Sequence, residues 1–264
     1  MSAQLIDEKP PQIEAIAEEV IPLPPTDLPY DDGEPLESNR HRIAMNVLIN
    51  SLHQAYQERN DYYTSGNMFV YYSSQQVKNK DFRGPDFFAV LDVDGTKERR
   101  SWIVWEEGGR YPDVIVELMS PSTARIDRKK KKKLYEKVWK TSDYFIYDPF
   151  DSKSLQGWRL GGKRKYKELV ANDRGWLWCQ SLQLWLGTWN GELVRENAPW
   201  LRFYDRDGNL VLLPEEVAVQ EQERADLQQE RADRAEAVVE EKDRTIEQLR
   251  ERLTQAGIDP DTVM

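Results

Sequence analysis

The chain predicts a mixed α and β domain that ends in one long helix. Three observations carry this expectation. An apolar stripe of helical period runs from Ile43 to Tyr56. Short strand-like runs, parted by turn residues, fill residues 68–214. A seven-residue repeat then extends from Ala218 to Leu253, with no Gly, Pro or aromatic residue between Glu215 and Gly257.

In the first element Ile43, Val47, Leu48, Leu52 and Tyr56 fall at intervals of four, one, four and four, which places them on one helical face. Ser38 or Asn39 stands where an N-cap belongs. Strand-like runs follow at MFVYYSS (68–74), DFFAVLDV (86–93), RSWIVWEE (100–107) and DVIVELMS (113–120). Asp94-Gly95 parts the second from the third and reads as a hairpin turn. A helix fits residues 127–140, and strands fit DYFIYDP (143–149), YKELV (166–170) and LWLGTW (184–189). LRFYDRDGNLVLLP (201–214) reads as a terminal hairpin turning at Asp207-Gly208-Asn209.

In the last element Ala218, Ala225, Ala232, Val239, Ile246 and Leu253 recur every seven residues. Ala235 and Leu249 fill the partner position of the heptad, but Glu221, Gln228 and Lys242 fall there too. Such a polar seam supports only weak pairing, and self-association through it is expected. At the other end, residues 1–36 contain VIPLPPTDLPYDDGEP, rich in proline and acid and poor in paired apolar positions. They read as an extended or disordered arm. The expected organisation is an arm (1–36), a domain (37–213) and a heptad-bearing helix (214–264).

Composition narrows the chemistry. The 264 residues are 39% hydrophobic and 32% charged, so part of the chain stays outside any core, yet nine Trp and twelve Tyr demand a folded body for the rest. Cys179 is the only cysteine, which excludes an internal disulfide framework and a multi-cysteine zinc site. His41 and His53 are the only histidines, which argues against a histidine-built metal site and against a Ser-His-Asp hydrolase. No apolar run approaches a membrane span, and MSAQLIDEKP has no apolar core of a secretory signal, so a cytoplasmic setting is expected. The net charge of −10 is uneven. Residues 1–36 carry nine acids against one lysine, and residues 214–264 carry fifteen acids against seven cations, which leaves +6 for the middle. A mildly basic middle is compatible with phosphate contacts. What remains for catalysis is Asp, Glu and Lys, with a divalent ion as helper.

Two Pro-Asp pairs, Pro85-Asp86 and Pro112-Asp113, stand at strand starts. Strand alternation puts Asp113, Ile115 and Glu117 on one face. Glu117 lies among Val114, Ile115, Val116, Leu118 and Met119, and an acid in so apolar a strand needs a partner. A divalent cation would serve, because hard ions take carboxylate oxygens. Asp127 and the run Lys129 to Lys133 follow. On a helix Lys131, Leu134 and Tyr135 share a face, so Lys131 is expected to point inward while Lys129, Lys130, Lys132 and Lys133 face solvent. Asp127 reads as a helix cap.

The block PDVIVELMSPST with Asp127, Lys131 and Tyr135, followed by DYFIYDP, resembles the Uma-two family of restriction-endonuclease-like proteins, within the PD-(D/E)xK nuclease superfamily. ESNRHR, GPDFFAV, LWLGTW and LRFYDRDGNLVLLPEE add to the likeness, which covers roughly residues 37–215. The resemblance implies a restriction-endonuclease-like α/β (α+β) fold, a mixed central sheet flanked by helices. It makes Asp86 the first acid of the motif and Glu117 the second, with thirty residues between them. The superfamily's lysine usually sits two residues after the second acid, where this chain has Met119, and the family likeness moves it to Lys131. The implied activity is Mg²⁺- or Mn²⁺-dependent hydrolysis of DNA, with Asp86 and Glu117 on the metal and Asp113 as a further ligand candidate. Lys131 would act at the reacting phosphate, and Lys129, Lys130, Lys132 and Lys133 on the DNA backbone. The likeness also implies a homodimer. A catalytically silent binding or assembly module and an RNA nuclease stand as alternatives.

Overall fold

The structure is a computed structural model that describes Leu28, residues 38–73, 84–120, 124–257 and Asp259. A helix α1 (Asn39–Ala55) is capped by Ser38, whose side chain accepts from the His41 N–H. The strands β1 (Tyr62–Ser65), β2 (Val70–Tyr71), β3 (Phe87–Leu91), β4 (Trp102–Ile103) and β5 (Val114–Leu118) come next. A helical run over 124–139, here α2, leads to β6 (Asp143–Asp148), β7 (Asp151–Leu160) and β8 (Tyr166–Glu168). The chain ends with β9 (Leu177–Cys179), β10 (Leu184–Leu193), β11 (Glu196–Tyr204) and the helix α3 (Pro214–Gln255).

Six strands form a mixed sheet in the order β1-β3-β5-β6-β7-β8, parallel only between β5 and β6. β11-β10-β9 form a second sheet, and β2 pairs with β4 in a short parallel ribbon. Every residue of β5 is buried, because both faces of this central strand are covered. On one face Val114, Val116 and Leu118 meet Ile43, Val47 and Leu48 of α1 and Leu186, Leu201 and Phe203 of the second sheet. On the other face Ile115 and Met119 meet Tyr135 and Trp139 of α2, together with Trp102. The α1 stripe is thus borne out: Ile43, Val47, Leu48, Leu52 and Tyr56 are all buried.

Several expectations are corrected. The runs around β3 and β4 do not pair through Asp94-Gly95, since β3 lies between β1 and β5 while β4 pairs with β2. The turn instead docks on the approach to β1, where the Gly95 N–H donates to Asn60 C=O at 2.8 Å. A Cβ at Gly95 would stand 2.1 Å from the Tyr62 carbonyl oxygen, so a side chain there is excluded. The terminal hairpin is reduced to one bridge, Tyr204 to Leu210, because β11 takes β10 as its partner along nine residue pairs. The helix after β5 is not uniformly α. Short α turns (Ala124–Ile126, Lys132–Leu134) alternate with π segments (Asp127–Lys131, Tyr135–Trp139), and the Lys132 N–H reaches back five residues to Asp127 C=O. The strands β1, β7 and β9 had no counterpart in the sequence pattern.

Of the arm, residues 1–27 and 29–36 lie outside the described residues, but Leu28 is buried against Phe69, Tyr71 and Ile103. The arm therefore contributes at least one side chain to a core. α3 spans 42 residues, none of them buried. Its start is pinned: the Leu213 N–H donates to Glu216 Oε2 at 2.7 Å, and the buried Arg202 pairs with the same carboxylate at 2.6 Å. Among the described residues no helix is long and apolar enough to cross a membrane.

Candidate active site

β3 and β5 are antiparallel, with Phe87 opposite Val116 and Phe88 opposite Ile115. Carrying that register one step past the start of β3 sets Asp86 against Glu117. Both acids then belong to the face of Phe88 and Ile115, the face that α2 covers. Glu117 is fully buried, and Asp86 is half-buried at the start of the interior strand β3. With thirty residues between them in sequence, the two carboxylates meet because two adjacent strands run in opposite directions.

Both acids are held by hydrogen bonds. The Leu118 N–H donates to Asp86 Oδ2 at 2.7 Å. Lys131 Nζ donates to Glu117 Oε2 at 2.9 Å, and the Tyr135 hydroxyl donates to Glu117 Oε1 at 2.6 Å. Lys131 also pairs with Asp127 Oδ1 at 2.9 Å, and the Tyr144 hydroxyl donates to Asp127 C=O at 3.0 Å. One ammonium thus stands among the carboxylates of Glu117, Asp127 and Asp86.

The electrostatics follow from that imbalance. Burial first, and then the Glu117 carboxylate beside it, push the Asp86 carboxyl well above the usual carboxylate range, against the opposing pull of Lys131. Burial pulls the Lys131 ammonium down, but Glu117, Asp127 and Asp86 together outweigh it and raise its pKa, so Lys131 stays charged. Burial, and then Glu117, raise Tyr135, whose phenol remains a donor. In this arrangement Lys131 is a positively charged hydrogen-bond donor.

The oxygens suit a hard divalent ion. In an extended strand the N–H and C=O of one residue point to the same side. The Leu118 N–H points at Asp86, so its C=O faces that side as well. Two carboxylates and a main-chain carbonyl make an oxygen-only set of the kind Mg²⁺ and Mn²⁺ take. Excess negative charge around one ammonium gives a cation an electrostatic role. Among the described residues no cluster of three or more His, Cys, Asp or Glu is arranged to hold a metal, so the fit rests on the two acids and the main chain.

The other candidates are placed as follows. Asp113 precedes β5 at the end opposite Glu117, where Oδ2 accepts from the Leu91 N–H at 2.8 Å and pairs with Arg110 at 3.3 Å. The structure does not bring it to the acid pair. Asp127 does not cap a helix. It is buried inside the helical run, where its spacing of four from Lys131 sets the two side chains together. Lys129, Lys130 and Lys133 are exposed, whereas the Lys132 ammonium lies 3.7 Å from the centre of the Trp158 ring. Desolvation on that ring lowers the Lys132 pKa.

Sequence reasoning missed the Tyr135 hydroxyl and the Asp127 carboxylate. The signal for both was present, since Asp127, Lys131 and Tyr135 stand four residues apart. It also gave no role to His41, buried under the end of β5.

The family model that matches this chain is Uma2, described as "Putative restriction endonuclease", over residues 3–190. A solved structure described as a "putative nuclease belonging to DUF820 from Anabaena variabilis ATCC 29413" is similar at 13% identity. That likeness covers 58% of this chain and 81% of the other, with a TM-score of 0.40. Among curated proteins nothing matches.

Proposed function

The chain belongs to the Uma2 restriction-endonuclease family, and from that premise we propose that it is a Mg²⁺- or Mn²⁺-dependent endonuclease that hydrolyses phosphodiester bonds in DNA. The observation that carries this reading is Glu117, fully buried in a central strand, opposite Asp86 and bonded to Lys131. Asp86, Glu117 and the Leu118 carbonyl would hold the ion, which when bound polarises a phosphoryl oxygen and lowers the pKa of water. Tyr135 fixes the orientation of Glu117 by donating to Oε1. Lys131, on Oε2, keeps a positive charge beside the site, placed to offset charge that builds on the phosphate. The exposed Lys129, Lys130 and Lys133 offer a backbone contact without reading sequence. Two copies of the site, one per strand, would make a double cut, and a homodimer is part of the proposal.

A second reading has one observation in its favour. Lys131 is engaged by both Glu117 and Asp127, as in a structural ion pair, and a silent binding module could keep such a pair. Plasmid nicking over a metal panel, with RNA as parallel substrate, separates the readings. Nicking that needs Mg²⁺ or Mn²⁺ and is lost in Asp86→Ala and Glu117→Gln supports the endonuclease. Cleavage of RNA alone reassigns the substrate. A protein that cuts neither, and whose melting temperature ignores both ions, is the silent module.

A further inference from the structure

β5 and β6 run parallel with Leu118 opposite Tyr147. In a parallel ladder a residue donates its N–H to one partner residue and accepts, at its C=O, the N–H two residues further along. Met119 follows the rule on one side, donating to Tyr147 C=O at 2.6 Å. The donor due to its own carbonyl is residue 149. That residue is Pro149, which has no N–H.

His41 fills the place. Its Nε2 lies 3.2 Å from the Met119 carbonyl oxygen in a buried contact. Only an Nε2–H can serve that acceptor, and in the neutral ring Nδ1 then accepts from the Ser38 hydroxyl 2.8 Å away. The imidazole is thus fixed at both nitrogens. Phe150, next after Pro149, leans on the ring at 6.0 Å between centroids, and the Arg40 guanidinium covers Phe150 at 4.5 Å.

The held carbonyl is two residues past Glu117 and one past Leu118, whose own carbonyl faces Asp86. We propose that His41 is a positioning residue of the carboxylate site: it supplies the donor that Pro149 withholds, and so fixes the last peptide of β5. Glu117 and the Leu118 carbonyl thereby keep the spacing that a divalent ion requires. The inference rests on the metal-site reading above. His41 itself touches neither ion nor substrate. A merely structural role, stapling α1 to β5, would affect folding alone.

Metal titrations of the full chain, followed by melting temperature, distinguish the two roles. His41→Ala and His41→Asn both lose the donor to Met119, whereas His41→Gln can keep an amide N–H near the Nε2 position. Tyr56→Phe serves as the structural control, because the Tyr56 hydroxyl donates to Leu182 C=O at 2.8 Å in a buried contact on the same side of the sheet. We expect the metal midpoint of the Ala and Asn proteins to rise about 10–100-fold, the usual cost of removing a partner that orients a metal site. Gln should restore it, and Tyr56→Phe should lower the metal-free melting temperature without moving the midpoint. If His41→Ala behaves like Tyr56→Phe, with an unmoved midpoint, the positioning role is overturned while the metal site stands. A wild-type protein with no metal-dependent shift overturns both. Should His41→Ala fail to fold, the contrast between Gln and Asn decides the same question.

Discussion

α2 and α3 are both dense in charge, yet past the first turn of α3, where Glu216 meets the buried Arg202, only α2 takes charge into the interior. In α2 the Lys131 ammonium pairs with Glu117 and Asp127, which are 0% and 1% exposed. In α3 the pairs Glu230–Arg234 and Glu240–Arg244 are largely solvated. The chemistry of the groups is nearly the same, but their surroundings differ. A solvated pair gains little, because water already stabilises both charges. A buried pair gains little net stability either, but breaking it leaves an uncompensated charge with no water to turn to. The contrast also explains why one helix can carry a site and the other only a surface.

The widest split between the regions should come from removing one partner. Lys131→Met leaves Glu117 and Asp127 buried without their cation and should cost about 3–5 kcal/mol in urea denaturation. Replacing Glu117 as well, by Gln, should recover much of that loss, since the stranded charge is gone. Arg244→Ala in α3 should be within error of the wild type. If Lys131→Met proves as mild as Arg244→Ala, the interior of α2 is wetter than its burial suggests, and the comparison breaks.

Next in size is the arm. Leu28 joins Phe69, Tyr71 and Ile103 in a small cluster at the β2–β4 ribbon. Leu28→Ala should destabilise by about 2 kcal/mol, the lower end for a buried leucine, because so small a cluster can collapse around the gap. A chain starting at residue 37 should lose at least as much. An unchanged denaturation midpoint in both would make the arm dispensable for folding, in keeping with its few paired apolar positions.

A pH series tests the acid pair directly. The folded-state pKa of Asp86 lies above its unfolded value, so between the two values the folded protein holds a proton that the unfolded chain has released. Stability without metal should therefore fall as pH rises from about 4 toward the raised pKa, a contribution opposite in sign to that of a salt-bridged surface acid. Asp86→Asn should remove this slope. A divalent ion competes with that proton, so its stabilising effect should grow as pH rises. A slope that survives in Asp86→Asn would assign it to other carboxyls.

The residues that form one continuous pattern were readable in advance, and those that meet only through topology were not. The α1 stripe and the inward turn of Lys131 follow from local spacing, and both appear in the structure. The pairing of β3 with β5 does not, because the Asp94-Gly95 turn looks the same whether it joins two paired strands or docks on β1. Asp127 was misread for a related reason: an acid ahead of a basic run caps a helix if the helix begins there, and here it begins at Ala124. The role of His41 depends on a missing N–H at Pro149, more than a hundred residues away, and no local pattern announces it.

The smallest effect concerns α3 alone. At about 1.5 Å per residue the helix extends roughly 60 Å. Past its first turn its side chains meet nothing that would bury them, and local pairs such as Gln222–Asp226 and Gln229–Asp233 run along it. Val239, Ile246 and Leu249 are exposed toward its C-terminal half, whereas the earlier seam positions are alanine at 218, 225, 232 and 235 and polar at Glu221 and Gln228. Pairing with a second copy should therefore be weak and tightest near the C-terminus. The net charge of −8 on residues 214–264 opposes pairing, and added salt screens that repulsion. Sedimentation of the full chain against a chain ending at residue 213 should show extra self-association only in the full chain, growing with salt. DNA binding by the domain should weaken over the same series, because counterions released from the phosphates gain less entropy on entering a saltier solution. A full chain that sediments like the truncated one at every salt would leave α3 as a solitary helix supported by its own i,i+4 pairs. The contrast with α2 would then be complete: one helix built around a buried charge, the other, past the Glu216–Arg202 pair at its start, needing no partner.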